Sequence, residues 1–371
     1  MEFLIDITKD QGSTIAFSNL MELNIKSMDS LKGLCYGLSP SYRAIASFTR
    51  LKVVTIKFCY KLKTIFSPCL AQSMLCIEEL YVSDCNRLEQ VIGFAQEEEI
   101  IKNDSHLYCC PKLRILYINS CGSLKYVCAN TWTQGLQSLE SIQIIDCPQL
   151  MQIFNMEQNE NEEDVMVDGI DVSNMKNHYP QLWPKLETVD IRKCKNLKYL
   201  CSSPLAEGLP HLESIKIEVC PRLVQVLVLS NVGNSCQLLN VGLPVLNEDC
   251  IVVGNHEEVF QVQNGCSFSR IKKLYLRNLF EVQIIWKDFA QVVTLENLTT
   301  LKLSGCKKLR YIFSPTTARS LSHLVNLFIE GCEEIEQLIL AKDQVSSSSS
   351  NGDTSLQPIS FPNLTKIIVT K

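Results

Sequence analysis

One pattern of apolar positions runs almost the length of the chain: L-x-x-L-x-I-x-x-C-x-x-L. It reads Leu51-Val54-Ile56-Cys59-Leu62, Ile77-Leu80-Val82-Cys85-Leu88, Leu113-Leu116-Ile118-Cys121-Leu124 and Leu139-Ile142-Ile144-Cys147-Leu150. It returns from Leu186, Leu212, Leu298 and Leu324, with Cys194, Cys220, Cys306 and Cys332 in the cysteine slot. Weaker copies start at Leu20, with Met28 in that slot, at Ile271, with Leu279 there, and in truncated form at Leu364. The central alternation of each copy, as in Val54-Thr55-Ile56, predicts a short strand with two side chains facing in and their neighbours facing out. The leucine after the cysteine slot then turns inward and starts a return path.

A phrase repeated at a fixed period near 26 residues predicts a leucine-rich-repeat solenoid. In that α/β repeat fold the strands centred on Ile56, Val82, Ile118, Ile144, Ile191, Ile217, Leu276, Leu303 and Ile329 form one curved parallel sheet on the concave face. Short helices, turns and loops close each coil on the convex face. Three coils continue with Ile65-Phe66-Ser67-Pro68, Cys201-Ser202-Ser203-Pro204 and Ile312-Phe313-Ser314-Pro315. Serine followed by proline is an N-cap with proline at the first helical position, so one or two helical turns should follow. Capping accounts for these serines without any enzymatic role.

Other coils end on Val91-Ile92, Ile153-Phe154, Val226-Leu227 or Ile339-Leu340 and run into polar insertions, two of them acidic and one serine-rich. Such segments bury too little apolar surface to fold on their own. After three of them the chain re-enters through Cys110-Pro111, Trp183-Pro184 or Phe361-Pro362. The expected organisation is a lead-in without a clear cap over 1–16, then an array over 17–227 with insertions near 93–110 and 155–182. The segment 228–267 is an interruption or a degenerate coil, and a second array fills 268–371, with a serine-rich insertion over 341–360. The first array holds about seven coils and the second about four, the last one truncated. Neither end shows the polar cap that closes a solenoid, so the sequence reads as part of a longer receptor, a truncated gene product or an excised piece.

A net charge of −5 and a pI near 5.7 argue against nucleic acid as the partner. No signal peptide and no run of about 18 apolar residues that would span a membrane is readable. Of the 18 cysteines, eight occupy one slot. A small, buried side chain with a weak S–H donor suits that slot, so reduced thiols are the expectation. The location expected is cytoplasmic, or shared between cytoplasm and nucleus.

The residues around these copies resemble the leucine-rich-repeat region of plant intracellular nucleotide-binding disease-resistance proteins of the coiled-coil class. The stretch Leu301-Lys302-Leu303-Ser304-Gly305-Cys306-Lys307-Lys308-Leu309-Arg310-Tyr311-Ile312-Phe313-Ser314-Pro315 carries the likeness, with Ile284-Ile285-Trp286-Lys287 and the polar loop leading to Phe361-Pro362-Asn363-Leu364. The resemblance spans about Phe17 to Val369 and implies a protein-interaction module of innate immunity. Such a module senses a pathogen effector or host partner, or restrains a nucleotide-binding domain. The alternative is a substrate-recruiting array of a ubiquitin-ligase adaptor, a class expected to carry a helical F-box ahead of more uniform coils. No G-x-x-x-x-G-K-[ST] phosphate loop occurs, so ATP binding does not carry over.

No catalytic constellation, metal ligand set or cofactor site is expected, and no small-molecule ligand. The five histidines are scattered, His211 and His323 sharing one repeat slot before a core leucine. One thiol per coil does not supply the converging ligands that zinc needs. The informative positions flank the inward strand residues and face the concave side. There the early coils show Tyr81 and Tyr117, while the middle and late coils show Arg192, Lys216, Lys273, Tyr275, Arg277 and Lys302. Tyrosine and arginine are enriched at protein interfaces because each joins large contact area to a polar tip. These eight residues are the candidate partner-binding set.

Overall fold

The computed structural model describes residues 1–6, 17–36, 48–66, 74–92, 110–129, 136–155, 183–200, 209–224, 226–229, 260–262, 269–285, 295–339 and 359–371. The repeated phrase becomes an 11-stranded parallel sheet whose strands follow chain order. Every strand centred on the residues named above is present. Glu22–Lys26 adds a strand at one end and Lys366–Thr370 one at the other. Alternation sets the faces: in Val53–Lys57 the second and fourth residues are buried and the other three half-buried. Ile118 pairs with Ile144, and Ile144 with Ile191, without a register shift. Inward residues therefore stack into continuous ladders, and a register slip of one residue would turn every one of them outward.

Ser214–Glu218 pairs directly with Lys273–Arg277, so residues 228–267 insert no strand between those two. Part of that segment pairs on the return side instead, where Leu227–Leu229 lies beside Phe260–Val262.

The corner after each strand holds a feature that the apolar pattern does not announce. The residue before the cysteine slot is left-handed in Ser27, Phe58, Asp84, Ser120, Asp146, Lys193, Val219 and Asn278, and in Gly305 and Gly331. Its N–H donates to the next coil's last strand residue, as Asp146 N does to Arg192 O at 2.8 Å and Val219 N to Arg277 O at 2.8 Å. The inverted corner thus extends the ladder by one bond per coil. The cysteine that follows is satisfied locally: Cys85 Sγ donates to Ser83 O at 3.4 Å, Cys147 Sγ to Ile145 O at 3.5 Å and Cys220 Sγ to Glu218 O at 3.6 Å. At Gly305 a Cβ would meet the Asn278 side-chain amide oxygen, so a larger residue there needs Asn278 to turn aside.

Val219 is the least suited residue at these corners, since a β-branched side chain at φ 58° strains the backbone. A left-handed L-residue costs roughly 1–2 kcal/mol, and asparagine tolerates the conformation best. Val219→Asn is expected to raise stability by roughly 1 kcal/mol, seen as a higher urea midpoint at unchanged slope. A lower midpoint would mean that the packing of the half-buried valine outweighs its strain.

The return side differs from the expectation of helices and loops. Thr64–Phe66 pairs with Gln90–Ile92, and Tyr311–Phe313 with Gln337–Ile339, as short parallel strands bridging two coils each. Their valine, isoleucine and phenylalanine favour extended backbone once a stacked neighbour offers a partner. One described helix, Pro315–Ser320, has the expected start: Ser314 Oγ accepts from Thr317 N at 3.1 Å, with Pro315 opening the first turn. Ala318 and Leu321 pack inward. The other two serine–proline starts and the insertions lie outside the described residues.

Each coil then re-enters through one apolar column. Phe48, Met74, Cys110, Leu136, Trp183 and Leu209 all open a turn whose carbonyl accepts from the amide three residues on, and all are buried. Cys110-Pro111 and Trp183-Pro184 belong to this column and are not special to the insertions.

Candidate interaction surface

The outer row of side chains on the large sheet is ordered by the register. Tyr81 lies beside Tyr117, with ring centroids 6.1 Å apart. Lys216, Tyr275 and Lys302 are consecutive in the central row. Arg192, Glu218 and Arg277 are consecutive in the row nearest the corner, and Lys273 pairs with Ser214 in the row farthest from it. All eight sequence-derived candidates therefore share one face, but they form two groups. The tyrosine pair sits with Ile115 and Ile145 in the earlier coils, and the cations run from Arg192, in the last of these, through the later ones.

The charges differ in how they are held. Arg192 Nε lies 2.8 Å from Asp190 Oδ1 on its own strand. Lys216 Nζ is 3.7 Å from Glu218 Oε1, and Lys302 Nζ is 3.9 Å from Glu330 Oε1. Half-exposed pairs of this kind contribute only about 0–1 kcal/mol each, so they order the face more than they stabilise it. Lys273 and Arg277, exposed at either end of their strand, have no carboxylate partner among the described residues. Tyr81 Oη donates to Glu79 Oε2 at 2.8 Å. Partial burial, and then that carboxylate, raise the tyrosine pKa and keep it a neutral donor.

Reading the sequence missed Lys366. Its amine lies 5.2 Å from the centre of the Phe328 ring, and Lys302 approaches the same ring at 5.8 Å. Lys302 and Lys366 come from the strands on either side of Phe328, so the ring is flanked by two cation–π contacts. The signal was present in the truncated copy at Leu364, because the positions flanking Ile367 fall in the same outward rows. With it, the later coils display Lys216, Lys273, Arg277, Lys302 and Lys366 against Glu218 and Glu330. The outward charges of the earlier coils balance.

Among the described residues no group of three or more histidine, cysteine or acidic side chains converges as metal ligands would. His211 Nδ1 meets Arg270 at 2.8 Å and His323 Nδ1 meets the Glu296 carbonyl at 2.6 Å, so the shared slot lies on an edge of the coils. None of the described helices is long and apolar enough to cross a membrane.

The ladder cysteines Cys59, Cys85, Cys121, Cys147, Cys194, Cys220, Cys306 and Cys332 are in no disulfide. Hydrogen bonding from the neighbouring ladder cysteine, and then burial, push the Cys147 and Cys194 thiols well up. Alkylation of native protein should therefore label Cys121, Cys147 and Cys220 far more slowly than alkylation of denatured protein. Rapid native labelling of these three would contradict the packing.

Stacked coils and an in-register parallel sheet of 11 strands define a leucine-rich-repeat array. A model of the family described as "Plant disease resistance protein RPS2-like, leucine-rich repeats" matches residues 4–86, 88–221 and 243–333, and the chain belongs to that family. Among solved structures, it is similar to the leucine-rich repeat domain of the type III effector XCV3220 (XopL). That likeness covers 95% of this chain and 69% of the other at 13% identity, with a TM-score of 0.36. The chain matches no curated protein.

Proposed function

We propose that this array is the protein-interaction module of a plant innate-immune receptor, acting in the cytoplasm or between cytoplasm and nucleus. It binds an acidic surface on a protein, either a pathogen effector or host partner, or a nucleotide-binding domain that it restrains. The carrying observation is the cationic late half of the concave face, where Lys273 and Arg277 flank Tyr275 without carboxylate partners among the described residues. Membership of the disease-resistance family supports the immune setting, and the free thiol ladder suits a reducing compartment. Burying a tyrosine between two cations offers apolar contact area and steering together, which speeds encounter with an acidic patch.

A photo-crosslinking amino acid at Tyr275, in the full chain expressed in plant cells, should trap a protein partner. The same group at Arg222, on a turn at the edge of the coils, should not. Adducts from Arg222 alone would move the interface off the concave face.

A further inference from the structure

We infer that Tyr81, Tyr117 and Glu79 form a recognition site for an arginine side chain displayed by a protein partner. Alternation places the three side chains outward on adjacent strands, Glu79–Ser83 and Ile115–Asn119, well inside the large sheet. Tyr81 and Tyr117 are paired in register, and their rings meet at 6.1 Å between centroids with a tilt of 46°. They make one joined aromatic surface, half-buried at its base. Glu79 accepts the hydrogen bond of the Tyr81 hydroxyl at Oε2, 2.8 Å away, which fixes the carboxylate beside the ring. Its Oε1 keeps acceptor capacity for a partner.

What marks this carboxylate is a missing cation. On the same face Asp190 is held by Arg192, Glu218 by Lys216 and Glu330 by Lys302. Glu79 has no such partner among the described residues. Arg114, which senses the Glu79 charge, is gripped by both oxygens of Glu140 at 2.9 Å, and Lys52 lies 2.9 Å from Glu78. Lys57, in register with Ser83, sits in the row nearest the corner, and Glu79 in the row farthest from it. Glu22 also faces outward, but it lies beside Val53 and has no ring next to it. The rings are uncovered too. Phe328 has Lys302 and Lys366 against it, whereas no described cation lies over Tyr81 or Tyr117.

A free carboxylate against an aromatic surface suits a cation with a flat face. Guanidinium is planar, more weakly hydrated than ammonium, stacks on aromatic rings and forks onto carboxylate oxygens. The methylene stem of arginine needs apolar support, and Ile115 is in register with Glu79, as Ile145 is with Asn119. The site deepens the interaction reading above and rests on it for the partner being a protein. Such a partner turns an arginine toward the early coils and acidic groups toward the late ones. Tyr117 and Tyr275 are four strands apart, about 19 Å at about 4.8 Å per strand, so one partner domain reaches both.

The test titrates the full chain, its tyrosine rings isotope-labelled for NMR, with N-acetyl-arginine amide and, in parallel, with the lysine and citrulline amides. Citrulline keeps the shape of arginine without its charge. The Tyr81 and Tyr117 ring signals should shift saturably with the arginine amide. The Tyr275 signal, on the strand that carries Lys273 and Arg277, should not. The citrulline amide should bind at least about fivefold more weakly, and Glu79→Gln should weaken the arginine amide by a similar factor. Tyr117→Leu should remove the response at Tyr81, and Tyr117→Phe should preserve it. Unchanged signals from the remaining tyrosines report that each variant is folded. Unmoved Tyr81 and Tyr117 signals in the wild type would overturn the inference. So would citrulline or lysine binding as tightly as arginine, or undiminished binding in Glu79→Gln. None of the probes carries an acidic side chain, so failure here leaves the late cations to their own test, the reversal of Lys273 and Arg277.

Discussion

Leu116→Asp should leave no folded array. Leu116 is buried between Leu80 of the preceding coil and Ile142 of the next, both in register with it. Removing a buried leucine forfeits about 2–5 kcal/mol before any charge is counted. An unpaired carboxylate at that position adds several kcal/mol of desolvation, or titrates to a neutral acid that still lacks partners. A solenoid couples each coil only to its neighbours, so one broken coil costs two interfaces. Loss of circular dichroism amplitude, or aggregation on size exclusion, is the expected result. Glu98→Ala, in an acidic stretch outside the described residues, should melt within about 0.5 kcal/mol of wild type. Equal melting shifts for the two variants would show that the inside and outside of the coil are wrongly assigned.

The large sheet was legible because its signal is periodic and repeated. An error at Ile271 or Leu20 is corrected by the copies around it, and the inward residues of each copy predicted the strands that pair, for example Leu276 with Ile217. The return side was less legible, since Thr64–Phe66 and Gln90–Ile92 are three-residue strands whose pairing depends on a neighbour the local sequence does not name. The left-handed corner escaped entirely. Phenylalanine, aspartate, serine, lysine and valine all occupy it, so no residue type marks it, and the constraint lies in one backbone bond to the next coil.

For the candidate surface, which residues face outward followed from alternation alone. What each charge does there required distances. The sequence presents Arg192 and Lys273 as equivalent cations, yet one is held by a carboxylate two residues away and the other is not. Only the structure separates a charge that organises the sheet from one left over for a partner.

That leftover charge is where the central claim is most exposed to test. Lys273→Glu with Arg277→Glu reverses two exposed residues without touching an inward ladder, so the fold should survive with its circular dichroism unchanged. The variant's concave face should repel an acidic partner. Opposed like charges across an interface cost several kcal/mol, so a drop in affinity of at least about tenfold is expected at low salt. The loss should shrink as salt rises, because the screening length falls from about 30 Å at 0.01 M to about 8 Å at 0.15 M. The measurement is capture of partners from plant extract by wild type and by the double variant, at low and at high salt. The account predicts a partner held by wild type at low salt, weakened by salt and lost in the variant. An unchanged partner profile with the fold intact would contradict it, and would leave this stripe of cations as solvated surface.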